Sequence, residues 1–262
     1  MTSRRPVTII TGASSGIGAE LARVFARHGH ALVLVARRAD LLMALADEIE
    51  RRGQTRPLVL SIDLEQAGAG DRIDEVLAKN EVEPQFVVNN AGFGLVGPVV
   101  TRERSEQLSM IDLNIRTLTD FSLRWVEPMT RHRGGLLNVA SVAGFLPGPG
   151  SAVYYASKAF VVSFTEALHQ EWKPRGLRIT ALCPGPVPTG FQARAGILNR
   201  EGPVILEVAA DRVAEEGYRG LMAGRRLVVP GLFNKLIVAL SGIMPHRFVL
   251  AGVERHQNGR LR

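Results

Sequence analysis

The stretch that decides the fold is Thr11-Gly12-Ala13-Ser14-Ser15-Gly16-Ile17-Gly18. It follows an apolar run at 7–10 that predicts a buried strand, and the apolar spacing after it predicts a helix. Glycine lets the backbone turn sharply and approach a ligand closely. The N-terminus of a helix attracts the negative charge of a pyrophosphate. We therefore expect a dinucleotide to contact Gly12, Ser14, Ser15, Gly16, Ile17 and Gly18; the alternative is a tight turn that binds nothing.

Short apolar runs alternate with longer amphipathic segments along the whole chain. The runs predict strands at 7–10, 31–35, 58–62, 86–88, 135–139, 177–182 and 226–229. This alternation is typical of an α/β fold, a doubly wound Rossmann-type parallel sheet of about seven strands with helices on both faces. Two long helices are predicted, at 101–131 and 153–173. We find no linker, so the prediction is a single domain over 1–262.

Composition and charge exclude several classes of protein. Apolar residues make up 46% and charged residues 22%, which is typical of a folded chain. The net charge is +7, but the 28 arginines and four lysines are spread along the chain, so we do not expect a nucleic-acid partner. Cys183 is the one cysteine, the six histidines show no ligand spacing, and no signal peptide is visible. We expect no disulfide, no metal and a cytoplasmic location.

The end of the second predicted strand indicates which dinucleotide binds. It reads Val35-Ala36-Arg37-Arg38, with two guanidinium groups where a carboxylate would bind the ribose hydroxyl of NAD. A planar guanidinium suits the 2′-phosphate of NADP. We therefore expect NADP(H) rather than NAD(H). The alternative is that Arg37 and Arg38 only begin a solvated helix.

Two further strand ends carry candidate cofactor residues. Asp63, with Leu64 beside it, ends the third strand and is placed to reach the adenine; a turn or cap aspartate is an equal alternative. Asn90, Ala91 and Gly92 follow the fourth strand at the carboxyl edge of the sheet, where ligands bind in such folds. Their small size leaves room for the cofactor.

A candidate acid–base group opens the second long helix. Tyr154 and Lys158 are four residues apart and share one helical face. A phenol has a pKa of about 10, and a cation one turn away lowers that pKa towards neutrality. Ser141 ends the fifth strand, from which its hydroxyl could hold a substrate oxygen. Asn114 lies inside a predicted apolar helix, where a polar residue needs a reason.

In this order and spacing, the motifs resemble those of the short-chain dehydrogenase/reductase superfamily. The matching pieces are residues 11–18 and 89–92, Asn114, Ser141, Tyr154 with Lys158, and 184–189. The resemblance implies that Tyr154 acts as acid or base and that Lys158 binds the nicotinamide ribose. It also implies that Ser141 holds the substrate oxygen and that Asn114 anchors a water.

The resemblance carries two further implications, and the chain departs from the family pattern at one position. Pro184, Gly185, Val187 and Thr189 would line the nicotinamide end, and the chain would form a homodimer or homotetramer through its two long helices. It departs from several NADP-using relatives at Ser15, where they carry a basic residue.

The expected function is hydride transfer between nicotinamide and a carbonyl or alcohol. An apolar substrate is suggested by Phe93, Phe145, Leu146 and Phe191. A catalytically silent cofactor sensor or scaffold, and an epimerase or dehydratase using bound cofactor, are the alternatives. We interpret 186–206 as a substrate flap. The apolar then basic segment 232–262 is interpreted as a lid, a subunit contact or, less expected, an interfacial membrane helix.

Overall fold

The computed structural model describes residues 4–188 and 206–260, and within them a seven-stranded sheet confirms the predicted fold. The strands are β1 (Arg5–Thr11), β2 (Leu32–Ala36), β3 (Leu58–Ser61), β4 (Val82–Asn89), β5 (Gly135–Val139), β6 (Arg178–Leu182) and β7 (Leu227–Val228). Their order is β3-β2-β1-β4-β5-β6-β7, and every neighbouring pair is parallel. Each lies at or within a few residues of its predicted position.

The strands form because they are apolar on both faces. All five residues of β2 and of β5 are buried, as expected for a parallel sheet covered on both sides by helices. One large core cluster includes Phe25 and Leu42, and the other includes Ile73 and Phe121. The sheet therefore separates two cores.

Ten α-helices lie in the described part of the chain. They are α1 (Gly16–Arg27), α2 (Ala39–Arg51), α3 (Ala69–Lys79), α4 (Arg104–Ile111), α5 (Leu118–Arg124), α6 (Val126–Arg131), α7 (Ala152–Trp172), α8 (Ala210–Met222), α9 (Leu232–Ser241) and α10 (His246–Arg260). Short 3₁₀ turns lie at Val99–Thr101, Val142–Phe145 and Lys173–Arg175. Helix α7 matches the predicted helix at 153–173 to within one residue at each end.

The other long helix, predicted as continuous over 101–131, is wrong in detail. It begins at Arg104, widens into a π-helical turn at Asp112–Thr117, and breaks at Trp125 between α5 and α6. The break has a local cause, because Pro128 has no N–H to bond the carbonyl one turn before it. The π turn contains Asn114, whose amide is held by the loop after β4. Such turns are frequent at functional sites.

The sheet reverses its strand order between β1 and β4, where neighbouring connections leave in opposite directions. Ligands bind in the crevice at such a switch point, beyond the carboxyl ends of the strands. Thr11, the last residue of β1, joins the two loops there. Its hydroxyl donates to the Val88 carbonyl at 3.2 Å and accepts from the amides of Asn90 and Ala91, both at 3.0 Å. The glycine turn and the loop after β4 are thereby held as one unit.

Candidate active site

A cavity of about 650 Å³ opens at this carboxyl edge, lined by the loops after β1 to β6 and by α7, α9 and α10. It brings together most of the residues singled out from the sequence. Those lining it are Gly12, Ser14, Ser15, Gly16, Ile17, Arg37, Arg38, Asp63, Leu64, Asn90, Ala91, Gly92, Ser141, Tyr154, Lys158, Pro184, Gly185 and Val187.

Of the predicted catalytic and cofactor-binding residues, three are not among those lining the cavity. Gly18 and Asn114 lie behind its wall, where they support the residues that form it. Thr189 lies outside the described residues, together with Phe191 and most of the predicted flap at 186–206. Their assignments stay predictions.

Two glycines of the first turn are required by close packing. Gly12 has φ +66°, and a Cβ there would stand 2.8 Å from Asn90 Nδ2 and 2.9 Å from Ala91 Cα. A Cβ on Gly18 would press against the Gly12 carbonyl oxygen and Asn90 Nδ2. Asn90 Nδ2 itself donates to the carbonyls of Thr11 at 3.0 Å and Gly12 at 3.2 Å. Glycine is therefore required at both positions so that this turn can pack closely against the loop after β4.

Arg38 is clamped over the glycine turn. Its guanidinium donates to Ser14 Oγ from Nε at 3.3 Å and from Nη2 at 3.0 Å, and to Ser15 Oγ from Nη2 at 2.7 Å. Ser15 is the N-cap residue of α1, yet its side chain makes no cap hydrogen bond. The cation and the open N-terminus of α1 therefore lie together, and both favour an anion.

Arg37 and Asp63 are held less tightly at the same end. Arg37 Nη1 lies 3.7 Å from Glu65 Oε1, and its side chain is half exposed. Asp63 Oδ1 accepts from the Glu65 amide at 3.1 Å, so it both shapes a turn and lines the cavity. The turn role raised for Asp63 is therefore observed, and its contact with the adenine stays a prediction.

Lys158 is buried at the other end of the cavity. Its side chain donates from Nζ to the Val139 carbonyl at 2.9 Å, and Nζ lies 5.9 Å from the centre of the Tyr154 ring. Burial lowers the pKa of Lys158 to about 8, against a smaller raising effect from Cys183. The ammonium form therefore predominates at neutral pH, beside the half-buried Tyr154.

Ser141 joins two loops of the site. Its hydroxyl accepts from the Ala143 amide at 3.1 Å, which begins the 3₁₀ turn after β5. It also donates weakly to the Pro184 carbonyl at 3.4 Å, in the loop after β6. The hydroxyl is nearly buried, lines the cavity, and can exchange its long bond for one to a ligand oxygen.

Asn114 connects the π turn to helix α7. Its Oδ1 accepts from the Phe93 amide at 3.1 Å, and its Nδ2 donates to the Phe93 carbonyl at 2.9 Å and to Ser157 Oγ at 3.1 Å. Ser157 donates in turn to the Tyr154 carbonyl at 2.7 Å. Gly92 is needed beside it, since a Cβ there would stand 2.8 Å from Asn114 Oδ1.

Sequence reasoning missed Asn234, a buried residue of α9 that lines the cavity. Its Nδ2 donates to the carbonyls of Leu206 at 3.1 Å and Pro230 at 2.9 Å, whereas its Oδ1 has no hydrogen-bond partner in the part of the chain that the structure describes. A Cβ on Gly185 would collide with this amide. A lone asparagine in an apolar helix is the signal that identified Asn114, and it applies here too.

The apolar wall differs from the one expected. Phe93 is packed in a core cluster and Phe145 against another, so of the described candidates only Leu146 lines the cavity. Aromatic bulk was a poor guide because large rings fill the core first. The apolar wall is mainly aliphatic, and Tyr155 also lines the cavity. The aliphatic residues are Leu95, Val96, Leu113, Val142, Leu146, Leu206, Ile237 and Val253.

Charge in the lining is distributed unevenly. Over residues 4–188 and 206–260, the cationic side chains that line the cavity are Arg37, Arg38 and Lys158. Within the same ranges, no group of three His, Cys, Asp or Glu side chains could hold a metal ion.

Comparison with known proteins places this geometry among dehydrogenases. The family profile described as short chain dehydrogenase matches residues 6–197. Sulfoacetaldehyde reductase 2 of Chromohalobacter salexigens is 37% identical over 188 residues, covering 71% of this chain and 74% of that protein. The 17-beta-hydroxysteroid dehydrogenase type 3 of Rattus norvegicus is 36% identical over 186 residues, covering 69% of this chain and 60% of that protein.

Solved structures agree. A short-chain dehydrogenase from Sphingobium yanoikuyae in complex with NADPH is 30% identical with a TM-score of 0.79, covering 91% of this chain and 95% of that chain. A bulky-bulky ketone specific alcohol dehydrogenase from Comamonas testosteroni is 28% identical with a TM-score of 0.74, covering 93% and 94% of the two chains.

Proposed function

Because this chain belongs to the short chain dehydrogenase family, we propose that its cavity binds NADP(H) together with a bulky apolar carbonyl or alcohol. Membership makes the protein an oxidoreductase that transfers a hydride between a nicotinamide cofactor and an alcohol/carbonyl pair. The observation that carries the finer proposal is a single cavity. One end holds the glycine turn with its clamped Arg38, and the other holds Ser141, Tyr154 and Lys158.

The cavity residues fit a dinucleotide. At Gly12 and Gly92 a Cβ would collide with neighbouring atoms, so backbone alone faces the space there. The first turn of α1 has no side-chain cap, which leaves its N–H groups for a pyrophosphate. Asp63 and Asn90 would border the adenosine half, and Pro184, Gly185 and Val187 the nicotinamide half.

Arg38 supports NADP(H) over NAD(H). A 2′-phosphate carries negative charge, and Arg38 is already oriented by Ser14 and Ser15, so little side-chain entropy is lost when it binds. These serines carry no charge themselves, so the guanidinium that they orient supplies the charge for the phosphate. Arg37, half exposed and 3.7 Å from Glu65, contributes less.

Paired variants test this cofactor preference. Arg38→Leu is expected to reduce kcat/KM for NADPH by roughly 10- to 100-fold, the worth of a charge-assisted contact, with little change for NADH. Arg37→Leu, the matched control, is expected to have a smaller effect. Equal kcat/KM for NADPH and NADH in the wild type would contradict the preference.

When bound, the nicotinamide supplies or accepts the hydride. In the direction of reduction, the Tyr154 hydroxyl donates a proton to the carbonyl oxygen, and the Ser141 hydroxyl holds that oxygen by a hydrogen bond. The Lys158 ammonium stabilises the phenolate that Tyr154 leaves behind. In oxidation the phenolate takes the proton back from the alcohol.

Asn114 acts indirectly in this scheme, through the residues that it positions. It holds the Phe93 backbone and, through Ser157, the turn of α7 that carries Tyr154. The described contacts therefore support a positioning role. The water-anchoring role that the family resemblance implies stays a prediction.

The lining supports an apolar substrate. Sulfoacetaldehyde is small and anionic, and a site for it needs a cation near the aldehyde. Among the described lining residues no cation besides Lys158 stands at the Tyr154 end, and the wall there is formed by aliphatic side chains and Tyr155. This favours bulky ketones or steroid-like carbonyls over the substrate in the name of the 37% identical relative.

The deciding experiment measures NADPH oxidation at 340 nm with bulky ketones, steroid ketones and short anionic aldehydes. Tyr154→Phe is expected to lower kcat by at least about 100-fold without weakening NADPH binding, whereas Tyr155→Phe serves as the matched control. Activity only on the anionic aldehydes would contradict the substrate class. Cofactor binding without oxidation of any substrate would favour a sensor, and product interconversion without net NADPH loss an epimerase.

Exposed apolar side chains on the two long helical regions support a homodimer or homotetramer. They are Leu108, Ile111, Leu123 and Phe160. Leu108 and Ile111 lie one turn apart on α4, and a second subunit would cover them. Light scattering on the wild type and on Ile111→Glu tests this: the variant is expected to have a smaller mass.

A further inference from the structure

A second apolar surface lies on the last two helices, α9 and α10. Seven of the fifteen large apolar side chains exposed in the described part of the chain lie between 232 and 250. We call them the C-terminal apolar face: Leu232, Phe233, Leu236, Leu240, Ile243, Met244 and Leu250. Leu232 is 80% exposed and Ile243 is 81% exposed. Such a patch marks a site of interaction in a folded protein.

Helix α9 presents its apolar side outward. Leu232, Leu236 and Leu240 are four residues apart and form one exposed stripe. Asn234, on the opposite side, is the one fully buried residue of the helix. A surface helix ordinarily has the reverse arrangement. The outward stripe is therefore unexplained by the packing of residues 4–188 and 206–260.

The same segment holds a large share of the positive charge. Residues 232–262 contain five basic residues and one acidic residue, which makes +4 of the chain's net +7. Lys235 lies on α9 and Arg247 and Arg255 lie on α10, and all three are exposed. Two copies of this surface would bring like charges together, whereas an anionic surface complements it.

We propose that the C-terminal apolar face docks on the surface of an anionic lipid bilayer, with its apolar side chains in the interface and its basic residues at the headgroups. No helix among the described residues has both the length and the apolar character to cross a bilayer, so the contact is with one leaflet. The other sides of these helices place Ile237, Gly252 and Val253 in the cavity wall. Docking would hold the cavity close to lipid-dissolved carbonyls, a consequence that rests on the proposed function.

Co-sedimentation with sucrose-loaded vesicles tests the docking. The wild type is expected to bind vesicles made of phosphatidylcholine and phosphatidylglycerol. It is expected to bind more weakly to vesicles of pure phosphatidylcholine, and more weakly to the mixed vesicles at high salt concentration. The double variant Leu236→Gln/Leu240→Gln is expected to bind roughly tenfold less or weaker still. Leu41→Gln/Met43→Gln, which changes two exposed apolar residues on α2, is expected to bind as the wild type does.

A second measurement does not depend on a weakened variant. Trp125 and Trp172 are buried, so lipids in contact with the surface do not reach them. Quenching by lipids therefore reports on the tryptophan that Phe233→Trp places in the C-terminal apolar face. Brominated lipids are expected to quench its fluorescence, and not that of Leu41→Trp. No vesicle binding by the wild type, or no quenching of Phe233→Trp, would overturn the proposal. If the wild type does not bind vesicles and Leu236→Gln/Leu240→Gln forms a smaller oligomer than the wild type, the face is assigned to a second copy of this chain instead.

The outcome is separable from the proposed reaction. Leu236 and Leu240 do not line the cavity, so kcat/KM for a water-soluble ketone is expected to be the same in the double variant and the wild type. Loss of vesicle binding with full turnover isolates docking, and absence of turnover in both proteins concerns the reaction alone.

Discussion

Replacing Lys158 by methionine is expected to abolish turnover and yet make the ligand-free protein more stable at neutral pH. The lysine is almost fully buried, and its ammonium donates one hydrogen bond, to the Val139 carbonyl at 2.9 Å. Burial lowers its pKa from the ordinary value of 10.5 to about 8. The charged form is therefore strained in the folded protein, and methionine has a similar shape without the charge.

The size of the effect follows from two opposing terms. A pKa lowered by two to three units corresponds to about 3 kcal/mol against the ammonium form. Methionine removes this cost, but it leaves the Val139 carbonyl without its hydrogen bond, which costs about 1–2 kcal/mol. We expect a net gain in the free energy of unfolding of about 1–2 kcal/mol at pH 7.

The gain must depend on pH in one direction. Because the pKa is lower in the folded state, the unfolded chain binds more protons between pH 8 and 10.5, and the stability of the wild type rises with pH across that window. Methionine does not titrate. The advantage of Lys158→Met is therefore largest below pH 8 and shrinks towards pH 10.

Urea unfolding at several pH values between 7 and 10 measures this difference. Lys173→Met changes an exposed lysine just after the same helix and is expected to show no pH-dependent difference from the wild type. The reasoning is refuted if Lys158→Met is less stable than the wild type at pH 7 and its deficit does not change with pH. That result would mean that the hydrogen bond outweighs the burial of the charge.

Two further outcomes follow from the packing. Gly18→Ala is expected to lose about 1–3 kcal/mol of stability and at least about tenfold in NADPH affinity, because its Cβ would press against the Gly12 carbonyl. Calorimetry measures the stability and fluorescence titration the affinity. Gly242→Ala, where the space around the Cβ is open, is the control in both measurements. Burial, together with the charge of the neighbouring His28, lowers the pKa of His30 below 6.5. The unfolded chain therefore binds a proton more readily than the folded protein, and the free energy of unfolding should decrease as the pH drops below 6.5. In His30→Gln the fall between pH 7 and 5 should be smaller, and equal slopes in urea unfolding would contradict the assignment.

Much of the fold could be predicted because it follows from local patterns. Apolar runs alternating with amphipathic segments predicted all seven strands, since burial on both faces of a parallel sheet requires them. The prediction of a continuous helix at 101–131 was wrong because apolar spacing does not reveal a π turn. The helix break near Pro128 could be predicted, because proline lacks an N–H group. The hydrogen bonds between Asn114 and Phe93 could not, because the two residues are 21 positions apart.

The sequence by itself determined what depends on spacing along one element. The glycine turn, the pair of Tyr154 and Lys158 on one helical face, and the arginines after β2 each lie within a few residues, where backbone geometry leaves little choice. These local features were enough to indicate a dinucleotide enzyme and its acid–base group.

Tertiary structure alone decided what depends on residues far apart in the chain. Ser14 and Ser15 hold Arg38 from 24 and 23 residues away, and Asn234 packs directly against Gly185 of a distant loop. The sequence also did not predict that the apolar stripe of α9 is exposed, because contacts with residues distant in the chain decide which side of a helix packs against the core. Asn234 is anchored to the carbonyls of Leu206 and Pro230, and that anchor leaves the leucines outside.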